Sequence, residues 1–319
     1  MDDPIFPKDE WCLTNEQEEL CNLAKDLGFK KFSKRAFKYD REGAFPVENY
    51  RDLADRGLLG ICVPKKYGGF GADLKSYMLA AAEIGRYCGA TALTFNMHVS
   101  SCLWTSFLID DLKLDEEIRS EHEQLRSIHY TRIIQDGKIY AQPFSEGGAA
   151  AAGFKAFGTN ALKVTDGWIV NGKKIFASLS GHADYYGVLC SAIKRKDEQG
   201  SRKNTMYLAV PNNAEGVSVE GDWDPLGMRG TVSRTLVFKD VFVPEREQLM
   251  PAGVYPEAAA RWPHMFMTLT PAYMGIAQAA FDFTIKYLRG EVEGMAPVKR
   301  RMYPTKQLAV AEMKVILEQ

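Results

Sequence analysis

The chain has 319 residues, 46% hydrophobic and 25% charged, the balance of a globular protein with room for about two domains. Its 40 basic and 41 acidic side chains leave a formal net charge of −1, which excludes a nucleic-acid or membrane-surface binder driven by charge. The six cysteines (Cys12, Cys21, Cys62, Cys88, Cys102 and Cys190) stand far apart, with no Cys-x-x-Cys and no histidine at metal-ligand spacing, a usage that points to thiols in a reducing compartment and to no metal site.

The N-terminus, Met1-Asp2-Asp3-Pro4, is acidic where a leader would be basic and then apolar, and no apolar run approaches the ~20 residues of a membrane span. The expectation is a cytoplasmic protein. From residue 14 to about 128 the pattern is helical: Leu20, Leu23, Ala24 and Leu27 recur at three and four, and residues 47–59 repeat that design. Three glycines in Gly68-Gly69-Phe70-Gly71 break the pattern into a loop. Helix resumes over 74–85 and again over 90–108.

From residue 132 to about 249 the apolar period changes to two. Strands are expected at 139–144, 168–179, 185–193, 206–210, 217–223 and 234–243, as an antiparallel unit, with Asp166-Gly167 and Asn171-Gly172 supplying hairpin turns. The charged run Lys194-Arg195-Lys196-Asp197-Glu198 reads as a solvated loop. The helical period returns at 258 and runs to 288, a loop rich in Gly, Pro and basic residues covers 290–304, and a last helix follows from 305 to 318. The chain thus divides into a helical segment 1–131, a β segment 132–249 and a helical segment 250–319. Two helices rarely form a stable layer alone, so the third segment is expected to be incomplete or to lean on another subunit.

Segment order and motifs together resemble the acyl-CoA dehydrogenase family of flavoproteins. The resemblance is carried by Phe45-Pro46-Val47-Glu48 and Val63-Pro64-Lys65-Lys66-Tyr67-Gly68-Gly69-Phe70-Gly71, by Ser145-Glu146-Gly147-Gly148, and by Asp166-Gly167-Trp168-Ile169-Val170-Asn171-Gly172-Lys173-Lys174-Ile175-Phe176. Leu226-Gly227-Met228-Arg229-Gly230-Thr231, Val237-Phe238-Lys239-Asp240-Val241-Phe242-Val243-Pro244 and Gly275-Ile276-Ala277-Gln278-Ala279 extend it towards the C-terminus.

The resemblance implies an α+β fold of N-terminal helical domain, central β domain and C-terminal helical bundle, incomplete here, with FAD between the β domain and the bundle. The implied reaction takes an α-proton from an acyl-CoA with a carboxylate base and passes the β-hydride to the flavin, giving the trans-2-enoyl thioester. Electrons then leave to an electron-transfer flavoprotein, and the protein is a homodimer or homotetramer. Matched onto the motifs, Phe144 and Ser145 line the flavin with Ser145 as a donor to its pyrimidine edge, Phe176 packs on the ring, and Ser178 is the hydroxyl beside ring nitrogen N5.

Departures from the pattern are specific. After Ser145-Glu146 the family continues proline, glycine, alanine, glycine, serine, aspartate, whereas here Gly147-Gly148-Ala149-Ala150-Ala151-Ala152 follows, so Ala151 stands at a substrate-facing polar position. Met265 occupies the place where one subgroup keeps its catalytic glutamate, and a methionine takes no proton. Neighbouring His264 reads as structural, the arginine that many members carry near Phe266 is absent, and Arg261 is displaced by more than a turn. No catalytic base is identified, and it is expected beyond Gln319. The family's arginine, phenylalanine, glycine run is missing after Tyr287, and Lys299-Arg300-Arg301 reads either as a basic cluster able to replace it at flavin phosphates or as a solvated basic loop. Two other readings stay open: a flavin monooxygenase or oxidase of the same fold, and a non-catalytic partner-binding remnant.

Overall fold

The computed structural model describes residues 3–147, 155–296, 298–299 and 301–319, with the backbone but not the side chains of 264–266. The Ala151 and Arg300 assignments, the 148–152 run and the side chains of His264, Met265 and Phe266 therefore lie outside the described residues.

The N-terminal helices are α1 (Lys8–Trp11), α2 (Asn15–Leu27), α3 (Ser33–Glu42), α4 (Val47–Asp55), α5 (Leu74–Tyr87), α6 (Gly89–Thr105), α7 (Phe107–Asp110) and α8 (Glu116–Asp136). Thr14 starts α2 with a capping box: its hydroxyl accepts from the Gln17 N–H, and the Gln17 side chain accepts from the Thr14 N–H. One face of α2 then buries Leu20, Ala24 and Leu27. Asp73 caps α5 through the Ser76 N–H at 2.8 Å. Helix α6 is buried along most of its length, so its sequence shows no polar stripe. Helix α8 runs to Asp136, past residue 132 where the strand period was expected, and ends at Gly137 with a left-handed φ of 63°.

The strands are β1 (Tyr140–Ala141), β2 (Asn160–Val164), β3 (Gly167–Ala177), β4 (Tyr185–Ile193), β5 (Thr205–Pro211), β6 (Val217–Glu220) and β7 (Arg234–Pro244). They form one sheet in the order β1-β4-β2-β3-β7-β6, with β5 also paired to β4. The sheet is mixed rather than wholly antiparallel: β4 pairs in parallel with both β1 and β2. Strand β2 was not expected, because its five residues carry a weak apolar alternation. Asp166 does turn the chain between β2 and β3, with φ of 60°. Asn171-Gly172 does not; it forms an irregularity inside β3, where the register slips and Gly172 passes against Thr159 too closely for any side chain.

The C-terminal part comprises α9 (Val254–Arg261), the short turns of Pro263–Leu269, α10 (Thr270–Arg289) and α11 (Pro304–Glu318). Helix α10 docks on α5 at a very close crossing. A Cβ on Gly275 would stand 2.1 Å from the Ala82 carbonyl oxygen, and one on Gly85 would stand 2.6 Å from that of Ala272. The nearly buried Arg86 seals this crossing, with Nε 2.7 Å from Asp282 Oδ2. Helix α11 buries none of its side chains. One continuous core runs from α2, α5 and α6 into the sheet. Arg132 of α8 grips Glu247 at 2.6 and 2.9 Å, and His129 donates from Nε2 to the Gln248 carbonyl, so helices and sheet are stitched after β7. No helix among the described residues is long and apolar enough to cross a membrane.

Candidate functional site

Where α6, the end of β3, the segment before β7 and the start of α10 converge, they enclose a cavity of about 480 Å³. Phe144, Ser145, Phe176 and Ser178, separated by more than thirty positions as two pairs, all line it. The segment 142–145 is held against β3 by the Ile175 N–H, which donates to the Ser145 carbonyl at 2.8 Å. Behind it Phe144 sits edge-on to Trp104 and Tyr207, with centroids 6.5 and 5.8 Å away, and Trp104 stacks on Tyr255. This aromatic nest makes one apolar wall.

Phe176 makes the facing edge. Its backbone takes φ of 51°, uncommon for a bulky residue, and its ring is 65% exposed, turned out of the sheet and edge-on to Trp223 at 6.2 Å. An aromatic held out from a sheet in a strained conformation is poised for a partner rather than for the core.

Ser178 begins a chain of buried hydroxyls. Its Oγ is 2.8 Å from that of Ser233, and Ser233 Oγ is 2.7 Å from Thr231 Oγ1. Thr231 donates to the Met228 carbonyl at 2.9 Å, and the same carbonyl accepts from Trp223 Nε1 at 3.0 Å and the Thr231 N–H at 3.1 Å. Sequence reasoning missed Ser233, Thr231 and Trp223. The two hydroxyl residues flank Val232, whose φ is 46°, so neither strand nor helix periodicity marks them as sharing a side. The third wall is polar and apolar by turns: Leu93, Asn96 and Met97 of α6 face Thr268, Leu269 and Tyr273.

Glu146, next to Ser145, turns away from the cavity. Its carboxylate takes the Lys174 ammonium at 2.6 Å and the N–H groups of Gly158 and Thr159 at 2.6 and 3.0 Å. Burial works against its charge, but Lys174 and these donors outweigh it and hold the carboxyl below its usual range. Burial pulls Lys174 below the usual lysine range despite Glu146. Among the described residues lining the cavity there is no carboxylate, imidazole, lysine or arginine.

The remaining sequence-singled residues lie elsewhere. Arg229 donates from Nε to the Asp40 carbonyl at 2.8 Å and pairs with Asp224, so it ties the turn before β7 to α3. Arg261 pairs with Asp111 at 3.2 Å beside Trp262. Arg301 donates to the Arg289 carbonyl at the C-terminal end of α10, where the helix dipole favours a cation.

The family model for the N-terminal domain of acyl-CoA dehydrogenase matches residues 14–108, and that for the middle domain of acyl-CoA dehydrogenase matches 143–241, together more than half of the chain. The chain belongs to the acyl-CoA dehydrogenase family. It carries the helical N-terminal and β middle domains of that family of oxidoreductases, followed by the helices α9 to α11. It is similar to YngJ of Bacillus subtilis (strain 168), named a probable acyl-CoA dehydrogenase, with 26% identity over 310 residues covering 96% of this chain and 76% of that one. Among solved structures, butyryl-CoA dehydrogenase from Megasphaera elsdenii superposes with a TM-score of 0.77 at 25% identity, covering 96% of this chain and 76% of the other. FMN-bound TdsC from Paenibacillus sp. A11-2 shares the fold, with a TM-score of 0.76, 24% identity and coverage of 94% and 73%.

Proposed function

We propose that this chain is a flavin-dependent acyl-CoA dehydrogenase whose cofactor, FAD, occupies the cavity between Phe144 and Phe176. The observation that carries this reading is the convergence of Phe144, Ser145, Phe176 and Ser178 on one cavity of about 480 Å³. An isoalloxazine needs flat apolar contact on its rings and hydrogen-bonding groups at its polar edge, and the residues present fit that need. Phe176 covers the ring, Phe144 closes the apolar side, and the hydroxyls of Ser145 and Ser178 meet the polar positions. When bound, the flavin supplies a two-electron acceptor.

The chain's own part in the reaction is positioning. The Leu93–Met97 side of α6 and the Thr268–Tyr273 entry into α10 hold the acyl group between them, and the aromatic nest around Trp104 keeps water out. The described walls hold no group able to take the α-proton, so the part assigned to them is to hold and orient the acyl group. The acceptor that reoxidises the protein is an electron-transfer flavoprotein, and the working unit is a homo-oligomer. The experiment is anaerobic addition of acyl-CoA thioesters of several chain lengths to FAD-loaded protein. Loss of the oxidised-flavin absorbance is expected; a flavin that stays oxidised with every thioester overturns the reading, and rapid oxygen uptake on supplying reduced flavin replaces it by the oxidase reading.

A further inference from the structure

Each serine or threonine hydroxyl has one hydrogen to give and two lone pairs to receive. The hydroxyl chain from Ser178 therefore has a direction. The Thr231 hydrogen goes to the Met228 carbonyl, so the 2.7 Å contact with Ser233 requires Ser233 to donate, and the 2.8 Å contact then requires Ser178 to donate to Ser233. In this state Ser178 spends its hydrogen inwards and offers lone pairs to the cavity.

The reverse state is equally complete. If Ser178 turns its hydrogen to the cavity, Ser233 donates to Ser178 and Thr231 donates to Ser233. The Met228 carbonyl keeps the Trp223 Nε1–H and the Thr231 N–H, so no buried group is left unpaired in either direction. Three rotations about C–O bonds separate the two states, and no proton leaves its oxygen.

We propose that Ser233 and Thr231 are positioning residues that let Ser178 serve one ring nitrogen of the flavin in both of its redox states. The proposal rests on the reading that the cavity holds the flavin. Oxidised, that nitrogen is an acceptor and needs the Ser178 hydrogen. On reduction the acyl substrate would lose two C–H bonds: the β-hydride would form the N–H bond and reduce the flavin, the α-proton would pass to the carboxylate base that the reaction requires, and the acyl group would be oxidised to the enoyl thioester. The nitrogen is then a donor, and Ser178 must accept, which it does without loss only if Ser233 takes its hydrogen and Thr231 takes that of Ser233.

Ser233→Ala and Thr231→Val each remove an acceptor for an inward-pointing hydroxyl hydrogen (that of Ser178 or of Ser233), an arrangement that only the reduced state requires. Each is expected to weaken binding of reduced flavin about tenfold more than binding of oxidised flavin. For a two-electron couple that ratio lowers the bound flavin's midpoint potential by about 30 mV. Ser233→Thr, which keeps the hydroxyl, restores it. The measurements are flavin affinity in each redox state and the midpoint potential by dithionite titration of the holoprotein; Thr231→Val carries the test where Ser233→Ala does not fold. Equal losses in both states, or a potential that the variants leave in place, overturn the relay while leaving the flavin site standing. Wild-type protein that binds no flavin overturns both.

Discussion

Lys174 Nζ lies 2.6 Å from Glu146 Oε1, a lysine with no exposed surface reaching from β3 to the residue that follows Ser145. The ammonium also donates to the Leu189 carbonyl at 2.6 Å, and the carboxylate gathers the N–H groups of Gly158 and Thr159. The pair thereby ties Glu146, beside the cavity, to β3 and to the Gly158–Thr159 approach to β2. Lys174→Met leaves a buried carboxylate without its counter-charge and is expected to cost about 3–5 kcal/mol in urea unfolding. Combining it with Glu146→Gln, which removes the charge but keeps an oxygen for the two N–H groups, should recover a large part of that loss. Additive losses would refute the clamp.

Acid should unfold the helical part through its histidines. Burial first, against the hydrogen bonds each ring makes, pushes His98, His122 and His129 down from 6.5 to about 4. His98 donates from Nε2 to the Leu59 carbonyl at 2.9 Å and accepts at Nδ1 from the Tyr140 N–H at 3.0 Å, so protonation breaks the second bond. The unfolded chain binds these protons more readily than the folded one. Stability is therefore full above pH 6.5 and falls as the pH drops towards 4, by up to about 1.4 kcal/mol per pH unit for each histidine. A His98→Gln variant, whatever its absolute stability, should show a slope shallower by one proton in this window.

Phe176→Ala separates binding from folding. The ring is largely exposed and meets Trp223 edge-on, so the variant should unfold within about 0.5 kcal/mol of the parent. Flavin affinity, followed by fluorescence quenching, should fall about tenfold through the lost aromatic contact. A variant that binds flavin as the parent does would place the cofactor elsewhere.

The thiols give an inexpensive check on the core. Cys12 is exposed, whereas Cys21, Cys62, Cys88, Cys102 and Cys190 are buried, and burial raises their thiols, to about 12 for Cys21, Cys102 and Cys190. Native protein treated with a disulfide reagent should react rapidly at one thiol and release the other five only on unfolding. Cys12→Ser should abolish the rapid phase.

How far the sequence was legible depended on how local each feature's cause is. The apolar period of α2, the Asp166 turn and the long apolar alternation of β7 are written within a few residues, and the expected elements stand there. The parallel pairing of β4 with β1 and β2 joins residues far apart, and no local pattern records it. Asn171-Gly172 reads as a hairpin turn because its chemistry permits one. In the fold the Asn171 amide instead exchanges hydrogen bonds with Asp240, at 3.1 and 2.9 Å, across an irregular stretch of sheet. The motif match reached Ser145 and Ser178 residue by residue. It did not reach Ser233, whose place beside Ser178 comes from a backbone that leaves regular angles at Met228 and Val232.

The glycines at the crossing of α5 and α10 bear on what the cavity can admit. Thr268 and Leu269 end the turns that lead into α10 and Tyr273 lies in its first turn, while Leu93, Asn96 and Met97 belong to α6, which follows α5 directly. The distance between these two walls is gauged by Gly85 and Gly275, where helix backbones touch because no side chains intervene. A single methyl at either position would act as a shim, tilting one wall away from the other. The bore of the cavity is thus adjustable from outside it, with every lining side chain unchanged.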